Sequence, residues 1–252
     1  MVKQNYIAII TTNPAEISEA IRLRYYLYKN REEPETVKQA PPKKRNSKNA
    51  KPRTRRISYG DGFDKHSSHI IVKDTQNDII VASLRVMDAF AAFELGGFFS
   101  EAEFDLGRVL NSAYLAEISQ VAFHPEHQNR EVFHALWDKT NEHCREKRID
   151  RAILNLAIPT SDKTQEVRQV VNHTTSKKYT DQQFKVTPYQ SLPSMDVVKL
   201  HSEAQFVLSS CLENGAKVCG EAFWNKELRT ADLILQVYGF NKEEKHLTQN
   251  VA

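Results

Sequence analysis

The chain has 252 residues with 40% hydrophobic side chains, enough to bury one sizeable core, and it is read as a single domain over 1–252. Apolar runs such as "IIVASLRVM" and "LILQVYGF" fall well short of the roughly 18 residues of a membrane-crossing helix, and "MVKQNYIAII" lacks a secretory cleavage pattern. A cytosolic protein is expected, with peripheral contact at the inner face of the membrane left open. The net charge of +3 is uneven: residues 36–60 hold nine Lys/Arg and no Asp/Glu, which leaves 26 basic against 32 acidic side chains elsewhere.

"YIAIITT" reads as a first strand, and "PAEISEAIRLRYYLYKN" as a helix with an apolar stripe at Ile17, Ile21, Tyr25 and Tyr28. The stretch from about 36 to 60 is rich in Pro, Lys, Arg, Asn and Ser, cannot bury enough surface to offset its ordering entropy, and is read as a mobile loop. "HIIVKDTQNDIIVASLRVM" is two β-rich runs around a polar turn at Thr75 to Asp78, a hairpin pattern. Ser100 with Glu103 fits a capping box for a short helix. "YLAEISQVAF" is a central strand, "REVFHALWDKTNEHCREK" a helix and "RAILNLAI" a strand. A C-terminal unit at about 197–240 follows, with a helix from Val197 to Glu213, Gly215 as its stop, and the strand "TADLILQVYGF". Strands mixed with helices indicate an α/β (α+β) sheet with helices on its faces.

Unpaired carboxylates are rarely buried, so Glu117 inside an apolar strand stands out, with a structural ion pair or an exposed edge position as the competing readings. Asp61 and Asp64 act either as turn formers after Gly60, as partners of Arg24 and Arg85, or as ligands for an amine. His66 with His69 and His124 with His127 lack a third ligand at a zinc spacing, so no metal is expected. Cys144, Cys211 and Cys219 form no C-x-x-C pair and are read as buried thiols. Phe90, Phe93, Phe98 and Phe99 either close the core or floor an acyl pocket, with core favoured. No aromatic residues interleave with the charges between Lys38 and Arg56, which argues against nucleic acid.

The stretch "VAFHPEHQNREVFHALW" resembles the strand, turn and helix with which the acetyltransferase superfold (GNAT) holds the pyrophosphate of acyl-coenzyme A, usually on a glycine-rich loop. Pro125, Gln128 and the helix are kept, but Arg130 and Val132 stand where small residues are expected. The chain is similar to two branches that draw on acyl-acyl carrier protein. One is the ornithine-lipid N-acyltransferases with the N-acyl amino acid synthases, the other the autoinducer (acyl-homoserine lactone) synthases. The resemblance rests on Arg24 and Tyr28 in "RLRYYLYKNRE", Asp61 and Asp64 in "DGFDKHSSHIIV", Arg85 in "ASLRVM", and Glu117 and Ser119 in "AEISQ". It departs at Gln120, where the family has arginine. "NGAKVCGEAFWNKELRTADLILQV" is similar to the closing segment of the ornithine-lipid type and favours that branch.

The resemblance implies a mixed central sheet flanked by helices, splayed at "EISQVAFHP" to receive a pantetheine arm. It implies transfer of a long-chain fatty acyl group from acyl carrier protein, less readily from acyl-coenzyme A, to the amine of an amino acid such as ornithine, without a tightly bound cofactor. Glu117 is then the catalytic base or the ammonium ligand, backbone N–H groups beside it meet the oxyanion, and Arg24, Tyr28, Asp61, Asp64, Arg85, Ser119 and Gln120 line the substrate site. Lys43, Lys44, Arg45, Arg53, Arg55, Arg56 and Arg130 are expected to meet the acidic carrier protein. The alternatives are a lactone synthase and a non-catalytic acyl-binding or partner-binding member, the latter suggested by Gln120 and Arg130.

Overall fold

The computed structural model describes residues 5–29, 60–107, 109–110, 114–159, 184–192, 202–228 and 230–240. The basic segment, with Lys43, Lys44, Arg45, Arg53, Arg55 and Arg56, lies outside these residues, as do the start of the expected C-terminal helix and the side chain of Tyr28.

Ten strands are described: β1 (Tyr6–Thr11), β2 (Ser68–Asp74), β3 (Ile79–Asp88), β4 (Phe104–Asp105), β5 (Leu115–Phe123), β6 (Arg151–Pro159), β7 (Thr187–Pro188), β8 (Lys217–Val218), β9 (Phe223–Asn225) and β10 (Thr230–Tyr238). The helices are α1 (Pro14–Lys29), α2 (Ala89–Leu95), α3 (Arg130–Glu146) and α4 (Ser202–Glu213). The main sheet runs β1-β2-β3-β5-β6-β10-β8 with β9 against β10, and β4 pairs separately with β7. Every pair in it is antiparallel except β5 with β6, the join between its two halves. This is the mixed sheet with helical faces that the residue patterns predicted.

The polar turn between β2 and β3 is the expected hairpin, and β3 and β10 are buried along nearly their whole length, as strands covered on both faces must be. One face carries α3 and α4. Val132, Phe133, Leu136 and Trp137 of α3 and Leu208 and Leu212 of α4 pack with Ile70, Val86, Ile118, Leu154 and Leu235 of the strands. Burying each such side chain is worth about 1.5–3 kcal/mol. The opposite face holds α1 and a covering segment from α2 to β4, where Phe98, Phe104 and Leu106 meet Met87, Leu115, Ile153 and Ile234. Cys144, Cys211 and Cys219 are all buried, and burial pushes each thiol up to about 12.

Three expectations are corrected. The buried line of α1 runs through Ala20 and Arg24, with Leu23 packed beside them, while Tyr25 is exposed. Arg24 is invisible to an apolar-stripe reading because its burial depends on an ion pair. Phe90 and Phe93 are 72% and 84% exposed, outside the core, because Ala92 is the α2 residue that faces inward. Ser100 and Glu103 do not cap a helix: the short 3-10 helix over Phe99–Ala102 is closed by Glu101, whose carboxylate accepts from Phe98 N at 2.7 Å. Ser100 and Glu103 turn inward to the sheet instead.

Candidate active site

β5 and β6 share register only from Leu115↔Arg151 to Ile118↔Leu154. Beyond that point β5 stays with β3 and β6 with β10, so the sheet divides at the stretch "EISQVAFHP". The cause lies in β5. Between the pairs Arg85↔Ser119 and Ser83↔Ala122, β5 contains one residue more than β3, a β-bulge, and Gln120 there adopts φ 57°. Such a bulge bends its strand and raises its twist. Among the described residues the β6-facing edge of β5 is thereby left without a ladder partner, and its backbone groups line the wedge between the two strands.

Glu117 sits one residue before the parting point, opposite Ile153, with no exposed surface. Its side chain points to the covering-segment face. The carboxylate accepts from Phe99 N at 2.8 Å, from Ser100 N at 3.1 Å and from the Ser100 hydroxyl. Burial nonetheless raises its pKa to about 7, against the opposing pull of these donors and of the Arg85 charge. A carboxyl of this kind is about half ionised at neutral pH, the condition for a general base working there.

Next to it, four charged side chains meet under the start of β2. Arg24 Nη2 donates to Asp64 Oδ1 at 2.7 Å, and Arg85 Nη1 donates to Asp61 Oδ1 at 2.5 Å and to Asp64 Oδ1 at 3.3 Å. Burial pushes the Asp64 carboxyl up, but the two guanidinium groups and the Asp61 N–H outweigh it and hold it below the ordinary value. The Asp61 and Asp64 turn is itself a capping box: Asp61 Oδ1 accepts from Phe63 N and Asp64 N, and Asp64 Oδ2 accepts from Asp61 N. Both readings of these aspartates, turn formers and arginine partners, hold together. Arg85 Nε also donates to Ser119 Oγ at 2.9 Å, and its guanidinium lies 4.9 Å from the Phe99 ring centre. Its Nη2 is buried without a hydrogen-bond partner among the described residues.

The structure thus brings Arg24, Asp61, Asp64, Arg85, Glu117, Ser119 and Gln120 into one continuous region. Tyr28 lies one helical turn beyond Arg24 on α1. At the start of α3, Asn129 caps the helix by accepting from Val132 N at 3.0 Å, so its side chain fills part of the place a phosphate would take. Arg130 is 79% exposed, 3.7 Å from Glu213 of α4. The histidine pairs go elsewhere: His69 Nε2 contacts Asp64 O at 2.9 Å, and His127 contacts the Tyr6 hydroxyl at 3.1 Å. Among the described residues no three His, Cys, Asp or Glu side chains gather as metal ligands, and no helix is long and apolar enough to cross a membrane.

Sequence reasoning missed a second polar chain leading away from Glu117. Asn155 on β6 donates through Nδ2 to Ser100 Oγ at 2.9 Å and to Glu103 Oε2 at 3.1 Å, and Glu103 in turn meets Asp232 of β10. Burial raises both carboxyls, and Asp232 lies well above the usual range because the Glu103 charge adds to that effect. The signal was present: Asn155 and Asp232 interrupt apolar strands just as Glu117 does.

Residues 43–138 match the acetyltransferase (GNAT) domain family. No curated protein matches the chain in sequence. Among solved structures it is similar to FeeM, an N-acyl amino acid synthase from uncultured soil microbes, at 10% identity and TM-score 0.47, over 92% of this chain and 91% of that one. It is similar to the AHL synthase LasI at 10% identity and TM-score 0.47, over 93% and 90%. An aminoglycoside 6'-N-acetyltransferase complexed with coenzyme A matches at 9% identity and TM-score 0.47, over 92% and 96%.

Proposed function

We propose that the chain is an N-acyltransferase that moves a long-chain fatty acyl group from acyl carrier protein to the α-amine of an amino acid such as ornithine. The observation that carries this reading is the position of Glu117, a buried carboxyl with a pKa of about 7 one residue before β5 and β6 part. The wedge then receives the pantetheine arm with its thioester. The α-ammonium of the acceptor gives up a proton, and the free amine attacks the thioester carbonyl. The N–C bond forms, the C–S bond breaks, and the thiolate leaves and takes up a proton. In this reading backbone N–H groups on the β6-facing edge of β5 meet the oxyanion.

Glu117 and Ser100 both have no exposed surface, so in this reading the acceptor's proton reaches Glu117 by a relay whose last member is the Ser100 hydroxyl bonded to it. Arg85 is the natural ligand for the acceptor carboxylate in this reading, because its Nη2 is a buried donor without a partner among the described residues. Asn129 and Arg130 at the start of α3 support a donor carried by a protein over one held by its pyrophosphate. The basic segment with Lys43, Lys44, Arg45, Arg53, Arg55 and Arg56 supplies charge for an acidic carrier.

The test is to mix purified protein with acyl-acyl carrier protein and a panel of amino acids, following thiol release and product mass, with Glu117→Gln as control. An acyl-amino acid made by the wild type and lost in the variant is the expected result. Binding of the carrier without turnover would sink the reading in favour of a non-catalytic module. Lactone formation from S-adenosylmethionine would replace it with the synthase branch. Neutralising the six basic residues should raise the carrier-protein KM in a salt-dependent way.

A further inference from the structure

We infer that the outer edge of β1 pairs with the same edge of a second copy of this chain, antiparallel across a two-fold axis. The inference does not depend on the acyltransferase reading. β1 ends the order of the main sheet, and among the described residues only β2 pairs with it. Which of its backbone groups are spare follows from the ladder. Thr75 N donates at 2.9 Å to the carbonyl of Asn5, the residue opposite it, so Asn5 is bonded towards β2 and, by antiparallel alternation, so are Ile7, Ile9 and Thr11. The N–H and C=O groups of Tyr6, Ala8 and Ile10 therefore point away from the sheet.

An open strand edge is a template for another strand, and folded chains ordinarily blunt it with shortness, lysine, proline or a bulge. The opposite edge of this sheet is blunted. β8 has two residues, one of them the exposed Lys217, and β9 beside it on β10 has three and is bridged by Ser191. β1 carries none of these devices: its six residues keep an unbroken register, and from Asn5 to Asn13 the sequence holds no charged residue, proline or glycine. Its Ile7 is 49% exposed.

The strand is complementary to itself, which selects the occupant. An antiparallel self-pairing that uses all three outward residues sets Ala8 opposite Ala8 on the axis, Tyr6 opposite Ile10, and Ile7 opposite Ile9. Every cross-strand pair is then aliphatic or aromatic, the kind that stabilises sheets, and no like charges are opposed. Tyr6, Ala8 and Ile10 already pack with the α3-side core and Ile9 with the α1-side cluster, so each pair extends a layer present in one copy. The exposed Ile7 gains a neighbour. Glu117 lies on β5, with β2 and β3 between it and the axis, so each copy keeps a complete site and an open wedge.

The test is sedimentation equilibrium of the full chain from about 1 to 100 µM, with Ala8→Pro beside the wild type. Proline at position 8 removes an outward N–H and leaves the β1–β2 bonds in place, which a sheet edge tolerates. The wild type should reach twice the 29.0 kDa chain mass within this range. Ala8→Pro should raise the dissociation constant at least about tenfold. Hydrogen exchange identifies the edge: in the wild type the Tyr6, Ala8 and Ile10 amides should slow at least about tenfold on dimerisation. A wild type that stays monomeric throughout overturns the inference. So does a dimer that Ala8→Pro leaves intact, or one in which those three amides exchange at the monomer's rate. Thermal unfolding records whether Ala8→Pro folds. If it does not, Ile7→Lys, which adds at an exposed position the charge that strand edges ordinarily carry, takes its place with the same readouts.

Discussion

Arg85 and Ser119 are register partners on β3 and β5, and the Arg85 Nε also donates to the Ser119 hydroxyl at 2.9 Å. Ser119 is the last residue before the bulge. The contact therefore ties the Arg24–Asp64–Arg85–Asp61 cluster to the strand that opens the wedge. Ser119→Ala leaves a buried, charged Nε without its acceptor, and the expected loss is about 1.5–3 kcal/mol of stability in urea unfolding. Arg85→Leu should cost more, about 3–5 kcal/mol, because it strips Asp61 of its ion pair and leaves Asp64 with Arg24 alone. Equal effects would show that the bond to Ser119, and not the charge cluster, is what Arg85 provides.

Gln120 occupies the left-handed region at φ 57°, a conformation that costs a side-chain-bearing residue on the order of 1 kcal/mol. Glycine there relieves strain but adds entropy to the unfolded chain, so Gln120→Gly should stay within about 1 kcal/mol of the wild type. Gln120→Val, β-branched, should lose about 1–3 kcal/mol and reduce turnover more than it reduces stability. A valine variant as stable as glycine would mean that the bulge does not need the left-handed backbone.

The Glu117 carboxyl titrates near 4.5 when unfolded and near 7 when folded, so the native state holds its proton more tightly. A raised carboxyl contributes stability that is complete below about pH 4.5, declines as pH rises through 7 and is absent above it. The gap corresponds to something on the order of 3 kcal/mol. Glu103 and Asp232 act in the same direction, while Asp64, held low, acts in the opposite one at acid pH. In Glu117→Gln the amide N–H₂ faces the Phe99 or Ser100 N–H, so the variant loses stability at low pH. Its stability should fall less steeply than the wild type's between pH 5 and 8. Urea midpoints across that range measure the slope, and parallel curves for the two proteins would refute the assignment.

The local patterns legible in the sequence were those set by period and turn chemistry: the β2–β3 hairpin, the central strand with Glu117, and the helix that begins at Arg130. The Glu117 strand stood out because a carboxyl amid apolar residues has few bland explanations. The same logic holds for Asn155 and Asp232, which interrupt equally apolar strands. What no periodicity conveys is pairing at a distance. Arg24 is buried only because Asp64, forty residues later, receives it, and Ser100 with Glu103 looked like a cap because the partner that claims Ser100, Glu117, comes from another strand. Phe90 and Phe93 failed for the converse reason: aromatic character suggested burial, but in a two-turn helix only the Ala92 side faces the sheet.

The closing motif offers a last prediction. Gly220, in "VCGE", forms a parallel bridge with Val186, and Cys219 accepts from Val186 N at 2.8 Å. A Cβ on Gly220 would stand 2.4 Å from the Val186 carbonyl oxygen, closer than any real contact allows. That neighbour is backbone and cannot swing aside. The same segment continues into β7, which pairs with β4, and Tyr189 N donates to Glu103 O at 2.9 Å, so displacing Val186 also displaces the carbonyl next to the acidic pair. Gly220→Ala should therefore cost about 1–3 kcal/mol by overpacking and lower acyl transfer beyond what the stability loss explains. The measurement is kcat/KM at a temperature where the variant remains folded. Unimpaired turnover there would separate this bridge from the site and leave Gly220 as a packing requirement alone.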